Sequence, residues 1–239
     1  MHKPYFRFVR KKFLDLSKFF TLTYTATEEN YIKAIYHLQH VHDKVSTTLL
    51  SDEMNTRPAS VTDMLKKLES KKVVHYQKYR GFSLTEQGNK TALNVVRKHR
   101  LWEYFLVHKL GFDWDEVHSM AEELEHISSN ELTTRLDNFL GNPAFDPHGD
   151  PIPDNKGKIK VIKQESLTLV PIKKTVSVSS VKNQSTEMLD LLNHFKIGIG
   201  TKLKITRRFD FDESVEIKIE KLPAIIISKQ VAQNLFCTI

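Results

Sequence analysis

The stretch VHSMAEELEH, residues 117–126, sets Glu122, Glu125 and His126 four, seven and eight positions after His118. At about 100° per residue these side chains share one face of a helix. The apolar residues Val117, Met120, Ala121, Leu124 and Ile127 fill the neighbouring face. Earlier in the chain, RKHRLWEYF puts His99 four residues before Glu103, again on one helical face. The linker between the two stretches is short enough to make their helices antiparallel neighbours. Imidazoles and carboxylates converging from facing helices suit Mn, Fe, Co, Ni or Zn rather than Ca or Mg. With six donors, one or two ions could be held. A solvated acidic face that happens to carry histidines is the competing reading, and for residues 117–126 alone it stands slightly ahead.

The charge distribution bears on that choice. The 239 residues carry a formal charge of +7. Residues 1–100 hold 19 Lys/Arg against 9 Asp/Glu, whereas residues 111–154 hold 11 Asp/Glu against Arg135 alone. A basic first part suits a polyanion such as DNA, and an acidic middle suits cations. No stretch is long and apolar enough to span a bilayer. The basic, aromatic residues 1–21 lack the form of a secretory signal and read as an N-terminal extension. Cys237 is the single cysteine, which excludes an intrachain disulfide and suits a reducing cytoplasm.

The elements that must position these donors are legible in outline. Thr27 reads as the N-cap of a helix over EENYIKAIYHLQHV. A short helix over VSTTLLSDEMN and a second over RPASVTDMLKKLE, with Pro58 in its first turn, form a helix-turn-helix. VVHYQ and FSLT read as a hairpin with Gly81 in its turn, which makes a wing. Thr85 caps a long helix running to about Lys109 and ended by Gly111. The acidic helix starts near Asp113, and Ser128 opens the next through a capping box with Glu131. GNPAFDPHGDPIPDNKGK is a loop and the clearest boundary. Short β-type runs follow from about residue 164, interrupted by one helical stretch, STEMLDLLNHF. The expected class is mainly α with an α+β DNA-binding part. Its expected domains are a winged helix-turn-helix over 22–92, a helical metal-binding domain over 93–155, and a small β-barrel-like domain over 164–239. His37, His40 and His42 read as surface histidines.

The order of RPASVTDMLKKLE, YQKYRGFSLTEQG, RKHRLWEYF, VHSMAEELEH and NPAFDPHGDPIP resembles the diphtheria toxin repressor family of metal-dependent transcriptional regulators. The closer likeness is to its manganese transport regulator branch, with a tail similar to the FeoA-type SH3-like domain. The resemblance implies a homodimeric, cytoplasmic repressor that binds a palindromic operator in double-stranded DNA near metal-uptake genes. It also implies that the helical part over 93–155 is a dimerisation domain and the last, over 164–239, an SH3-like barrel. It implies one metal site of His99, Glu103 and His118, and another of Glu122, Glu125 and His126 joined by Asn30. Met or Asp is usual where Asn30 stands, and Lys33 replaces a second acid of the manganese branch, a departure from that branch's close two-metal cluster. Glu122 stands where the iron-responsive type has Cys, and the harder oxygen donor favours Mn(II), with Fe(II) as the other cofactor. Arg57, Ser60, Thr62 and Asp63 are the candidates for base contact, and Lys66 and Arg80 for phosphate. Two other readings stay open. One is a winged-helix regulator that senses a non-metal ligand or redox state. The other, a metalloenzyme, is the weakest, because HExxH, GxGxxG and GxxxxGK[ST] are all missing.

Overall fold

Thr25, rather than Thr27, opens the first helix. Its side chain accepts from the Glu28 backbone N–H, and the Glu28 carboxylate accepts from the Thr25 N–H at 2.8 Å. This reciprocal box satisfies two orphan donors and contributes about 1 kcal/mol. The computed structural model describes residues 24–77 and 81–238. The N-terminal extension and the wing-tip residue Arg80 therefore lie outside the described residues.

Helix α1 (Ala26–Val41) packs with α2 (Thr47–Glu53) and α3 (Pro58–Ser70). Ile32, Ile35, Leu50, Leu65 and Leu68 supply their fully buried core. Glu28 is completely buried, yet Lys67 and Lys71 reach it at 3.1 and 2.7 Å. Burial resists its charge, but the lysines and the Thr25 N–H outweigh that and hold its pKa near 2. The pair ties α1 to α3. Strands β1 (Val74–Gln77) and β2 (Gly81–Leu84) form the antiparallel wing. Gly81 has φ +76°, and a Cβ there would meet the Val45 carbonyl oxygen at 2.2 Å, so the approach of the wing to the connection between α1 and α2 requires glycine.

Helix α4 (Glu86–Phe105) is capped by Thr85, as the sequence implies. It widens into one π turn over Leu106–Leu110 and ends at Gly111, in the left-handed conformation at φ +75°. Helix α5 (Val117–Ile127) starts later than Asp113, after a turn through residues 114–116. Helix α6 (Asn130–Phe139) is capped by Ser129, not Ser128. Ser128 is occupied elsewhere: its hydroxyl donates to the Leu124 carbonyl and accepts from the Trp102 indole N–H at 2.7 Å. Glu131 pairs with Arg135 instead of closing a capping box.

The C-terminal part is a six-stranded antiparallel sheet in the order β3 (Glu165–Ser166), β8 (Leu235–Thr238), β4 (Thr175–Val181), β5 (Lys202–Arg208), β6 (Val215–Ile219), β7 (Ile225–Ile227). With α7 (Thr186–His194) and α8 (Lys229–Asn234) it encloses its own apolar core, including Cys237. This sheet docks on the loop that follows α6. The Val181 N–H donates to the His148 carbonyl at 3.0 Å, and a Cβ on Gly149 would lie 2.0 Å from the Ser179 carbonyl oxygen. Trp114, before α5, packs on the same core and donates its indole N–H to Asn193 at 2.7 Å.

Candidate metal centre

The donor faces of α4 and α5 do meet. His99 is buried, with Nδ1 at 2.7 Å from Glu125 Oε2 and Nε2 at 3.0 Å from Glu103 Oε1. The His118 ring stands edge-on to it, with His118 Nδ1 3.2 Å from His99 Nε2. Glu122 approaches both imidazoles at 3.7–3.8 Å. His126 lies 3.4 Å from Glu125. Among the described residues, ligand-type atoms converge in three groups: His99–His118–Glu122, Glu122–Glu125–His126, and Glu103–Asp146–His148. Glu122 is shared by the first two. The six helical donors named from the sequence therefore lie in one cluster. Glu103, expected beside His99 and His118, also belongs to the third group.

Asp146 and His148 were missed. They come from the loop expected to be a boundary, and both are buried. Asp146 is folded into a tight turn, accepting from the backbone N–H of His148 and of Asp150 at 2.9 Å. Arg100 clamps the turn to α4 by donating to the Pro151 carbonyl and to Asp150. The signal available was a His two residues after an Asp, in DPHGDP.

Helix α1 reaches into the same place. A cavity of about 400 Å³ is lined by Asn30, Lys33, His99, Glu103, His118 and Glu122, among others. Lys33 donates to Glu122 at 2.5 Å and to Glu125 at 2.8 Å. Glu29, also on α1 and not singled out from the sequence, lies 2.7 Å from His126 Nδ1. A carboxylate only accepts, so His126 Nδ1 donates to Glu29 and Nε2 is the nitrogen turned inward. In the same way His148 Nε2–H donates to the Trp114 carbonyl at 2.8 Å, which leaves Nδ1 facing Glu103. Both inner nitrogens, and Asn30 Oδ1, are buried without a hydrogen-bond partner. Buried polar atoms left unpaired cost free energy unless something fills them. Three such atoms on cation-ligand residues, two with the far ring nitrogen tied to an oxygen, fit a metal centre with its supporting contacts in place.

The charges fit too. Burial opposes ionisation of His99, but Glu103 and Glu125 outweigh it and raise its pKa to about 9. Glu103 is held well below the ordinary carboxylate range: burial opposes this, while His99, His118 and His148 drive it. Glu122 is likewise lowered, by Lys33 against burial. Asp146 is pushed up to about 7 by burial and by the nearby Glu103 and Asp150 carboxylates. This is a dense set of acids neutralised by an imidazolium and an ammonium.

On the nucleic-acid side, Arg57, Ser60, Thr62, Asp63 and Lys66 are all exposed at the start of α3 or along its outer face. The Thr62 hydroxyl donates back to the Pro58 carbonyl at 2.9 Å, and Asp63 pairs with Lys66 at 3.6 Å. His37, His40 and His42 are exposed.

A winged helix-turn-helix whose first helix closes over a cluster of metal-ligand residues defines a class of metal-responsive DNA-binding proteins. Residues 23–82 match the iron dependent repressor N-terminal DNA binding domain, and residues 85–154 match the iron dependent repressor metal binding and dimerisation domain. The iron-dependent repressor IdeR of Mycobacterium bovis is 33% identical over 127 residues, 53% of this chain and 55% of that protein. The chain thus spans about half the length of such relatives. Among solved structures, a manganese-dependent transcriptional repressor in complex with manganese is 32% identical, with a TM-score of 0.80 over 88% of this chain and 99% of its own. ScaR with bound Zn2+ is 31% identical, with a TM-score of 0.73 over 88% of this chain and 98% of its own. The chain belongs to the iron-dependent repressor family, whose members respond to divalent metal.

Proposed function

We propose that the protein is a homodimeric repressor of metal-uptake genes, activated by Mn(II), with Fe(II) as the alternative ion. The observation that carries this reading is the entry of α1 into the cluster on α4 and α5. Asn30, Lys33 and Glu29 all come from the helix that packs against α3, the DNA-reading helix. Asn30, Glu122, Glu125 and His126 would hold one ion, and His99, His118 and Glu103, with Asp146 and His148, the remaining capacity. An ion so held supplies a strong link between α1 and α5. The set is rich in carboxylate and amide oxygen, which favours Mn(II) over softer-ligand metals. Fixing α1 fixes α3, so two α3 helices of a dimer sit at the spacing of successive major grooves, about 34 Å. Binding of the ion then selects the DNA-competent arrangement from a wider population. Arg57, Ser60, Thr62 and Asp63 are assigned to base edges, and Lys66 and Arg80 to phosphates.

Gel shift with the upstream region of a manganese or iron importer gene tests the reading. Binding should require Mn(II) or Fe(II), vanish in chelator and weaken as salt rises. Equal binding by chelated protein would reject it. The dimer is assigned to the exposed apolar side chains of the helical part, Leu110, Ile127, Leu132 and Phe139. Phe139 is 67% exposed and sits beside Phe105 and Lys109. Phe139→Glu is expected to give monomers by gel filtration with the metal count per chain unchanged. A variant that remained dimeric would place the interface elsewhere.

A further inference from the structure

Lys33 is the unusual member of the cluster, since an ammonium is a cation placed among groups suited to cations. Its position, one turn beyond Asn30 on α1, makes its role specific. Nζ contacts Glu122 Oε1 at 2.5 Å and Glu125 Oε1 at 2.8 Å, and the side chain is 13% exposed. Glu122 is common to the His99–His118–Glu122 and Glu122–Glu125–His126 groups. The ammonium therefore stands at the seam between two neighbouring ligand sets.

We infer that Lys33 is a built-in cation that takes the place of one divalent ion and limits these two adjoining groups to a single ion between them. The inference rests on the metal reading above. Two ions at the seam would have to share the carboxylates of Glu122 and Glu125, and each has its Oε1 committed to Lys33. A divalent ion on either side is also repelled by the ammonium, at a separation where water screens little. The other oxygen of Glu125 is drawn to His99 Nδ1 at 2.7 Å, so no free carboxylate edge remains there for a second ion. Lys33 at the same time does part of the work of the ion it replaces. It joins α1 to α5 through a charge-assisted pair, whatever the metal supply.

The test is the number of Mn(II) ions bound per chain, measured by equilibrium dialysis and elemental analysis on full-length wild type, Lys33→Met and Lys33→Glu. The Glu103–Asp146–His148 group is unchanged in all three, so differences report the seam. Lys33→Met removes the charge and adds only a soft thioether, a poor donor to Mn(II); Lys33→Glu also adds a carboxylate. Both are expected to hold one more Mn(II) per chain than wild type, with Lys33→Glu the tighter. Equal counts in all three would overturn the inference, as would a gain confined to Lys33→Glu, which would show a new ligand rather than a released site. Absence of Mn(II) binding by the wild type would instead defeat the metal reading itself. Thermal melts of the chelated variants show that each is folded.

Discussion

Glu125→Ala should abolish the rise in thermal stability that Mn(II) gives the wild type, and with it metal-dependent DNA binding. Glu125 is the pivot of the cluster. It is fully buried, 2.8 Å from Lys33 on α1, 2.7 Å from His99 on α4 and 3.4 Å from His126 on its own helix. Removing a ligand carboxylate costs more than the 10- to 100-fold known for supporting residues, so Mn(II) affinity should fall by at least about 100-fold. The chelated variant should also be less stable, by about 3 kcal/mol, the lower end for breaking a buried charged pair. The lower end applies because Glu122 still reaches Lys33 and Glu103 still reaches His99. Thermal melts with Mn(II) and with chelator separate the two effects. A variant that melted lower but kept its full Mn(II)-induced rise would show Glu125 to be a structural anion and not a ligand.

Much of this centre was legible because helices have a fixed period. His99 and Glu103, and then His118, Glu122, Glu125 and His126, face one way for geometric reasons that the spacing alone provides. What spacing cannot give is a partner from a different element. Asp146 and His148 sit in an irregular turn, where their direction depends on an Asx bond and on Arg100, some fifty residues away. Spacing does not distinguish Glu29 from the first-turn acidity that favours any helix N-terminus; only the fold sets it against His126. Lys33 was visible as a departure in charge; its two carboxylate contacts were not. The helix starts erred for a local reason. Capping residues stand close together at both starts: the Thr-x-x-Glu box belongs to Thr25, which the choice of Thr27 passes over, whereas the Ser-x-x-Glu pattern at Ser128 goes unused because the Ser128 hydroxyl serves Trp102 and Ser129 takes the cap.

The apparent affinity for Mn(II) is expected to rise steeply with pH, about tenfold per unit from pH 7 until it levels near the pKa of His99. Burial resists the charge on His99, but Glu103 and Glu125 flank its two nitrogens and hold the proton until about pH 9. A ring nitrogen must lose that proton to bind an ion. His148 is raised in the same direction, burial opposing and Glu103 prevailing, and adds to the slope. Glu103 and Glu122 have lowered values, so both stay ionised through this window and contribute none. Asp146 titrates near 7 and makes the slope steeper still toward acid. The chelated protein should show the opposite trend. The pKa of His99 is higher folded than its ordinary 6.5, so the stability it contributes is complete below pH 6.5 and is lost as pH climbs through about 9. Melting temperature in chelator should therefore fall between pH 6.5 and 9 while the Mn(II)-induced increment grows. Calorimetric titration at pH 7.5 in two buffers of different ionisation enthalpy measures the linkage directly, with release of about one proton per ion expected. An affinity flat from pH 7 to 9, with no proton release, would mean that His99 keeps its proton and stands outside the coordination sphere.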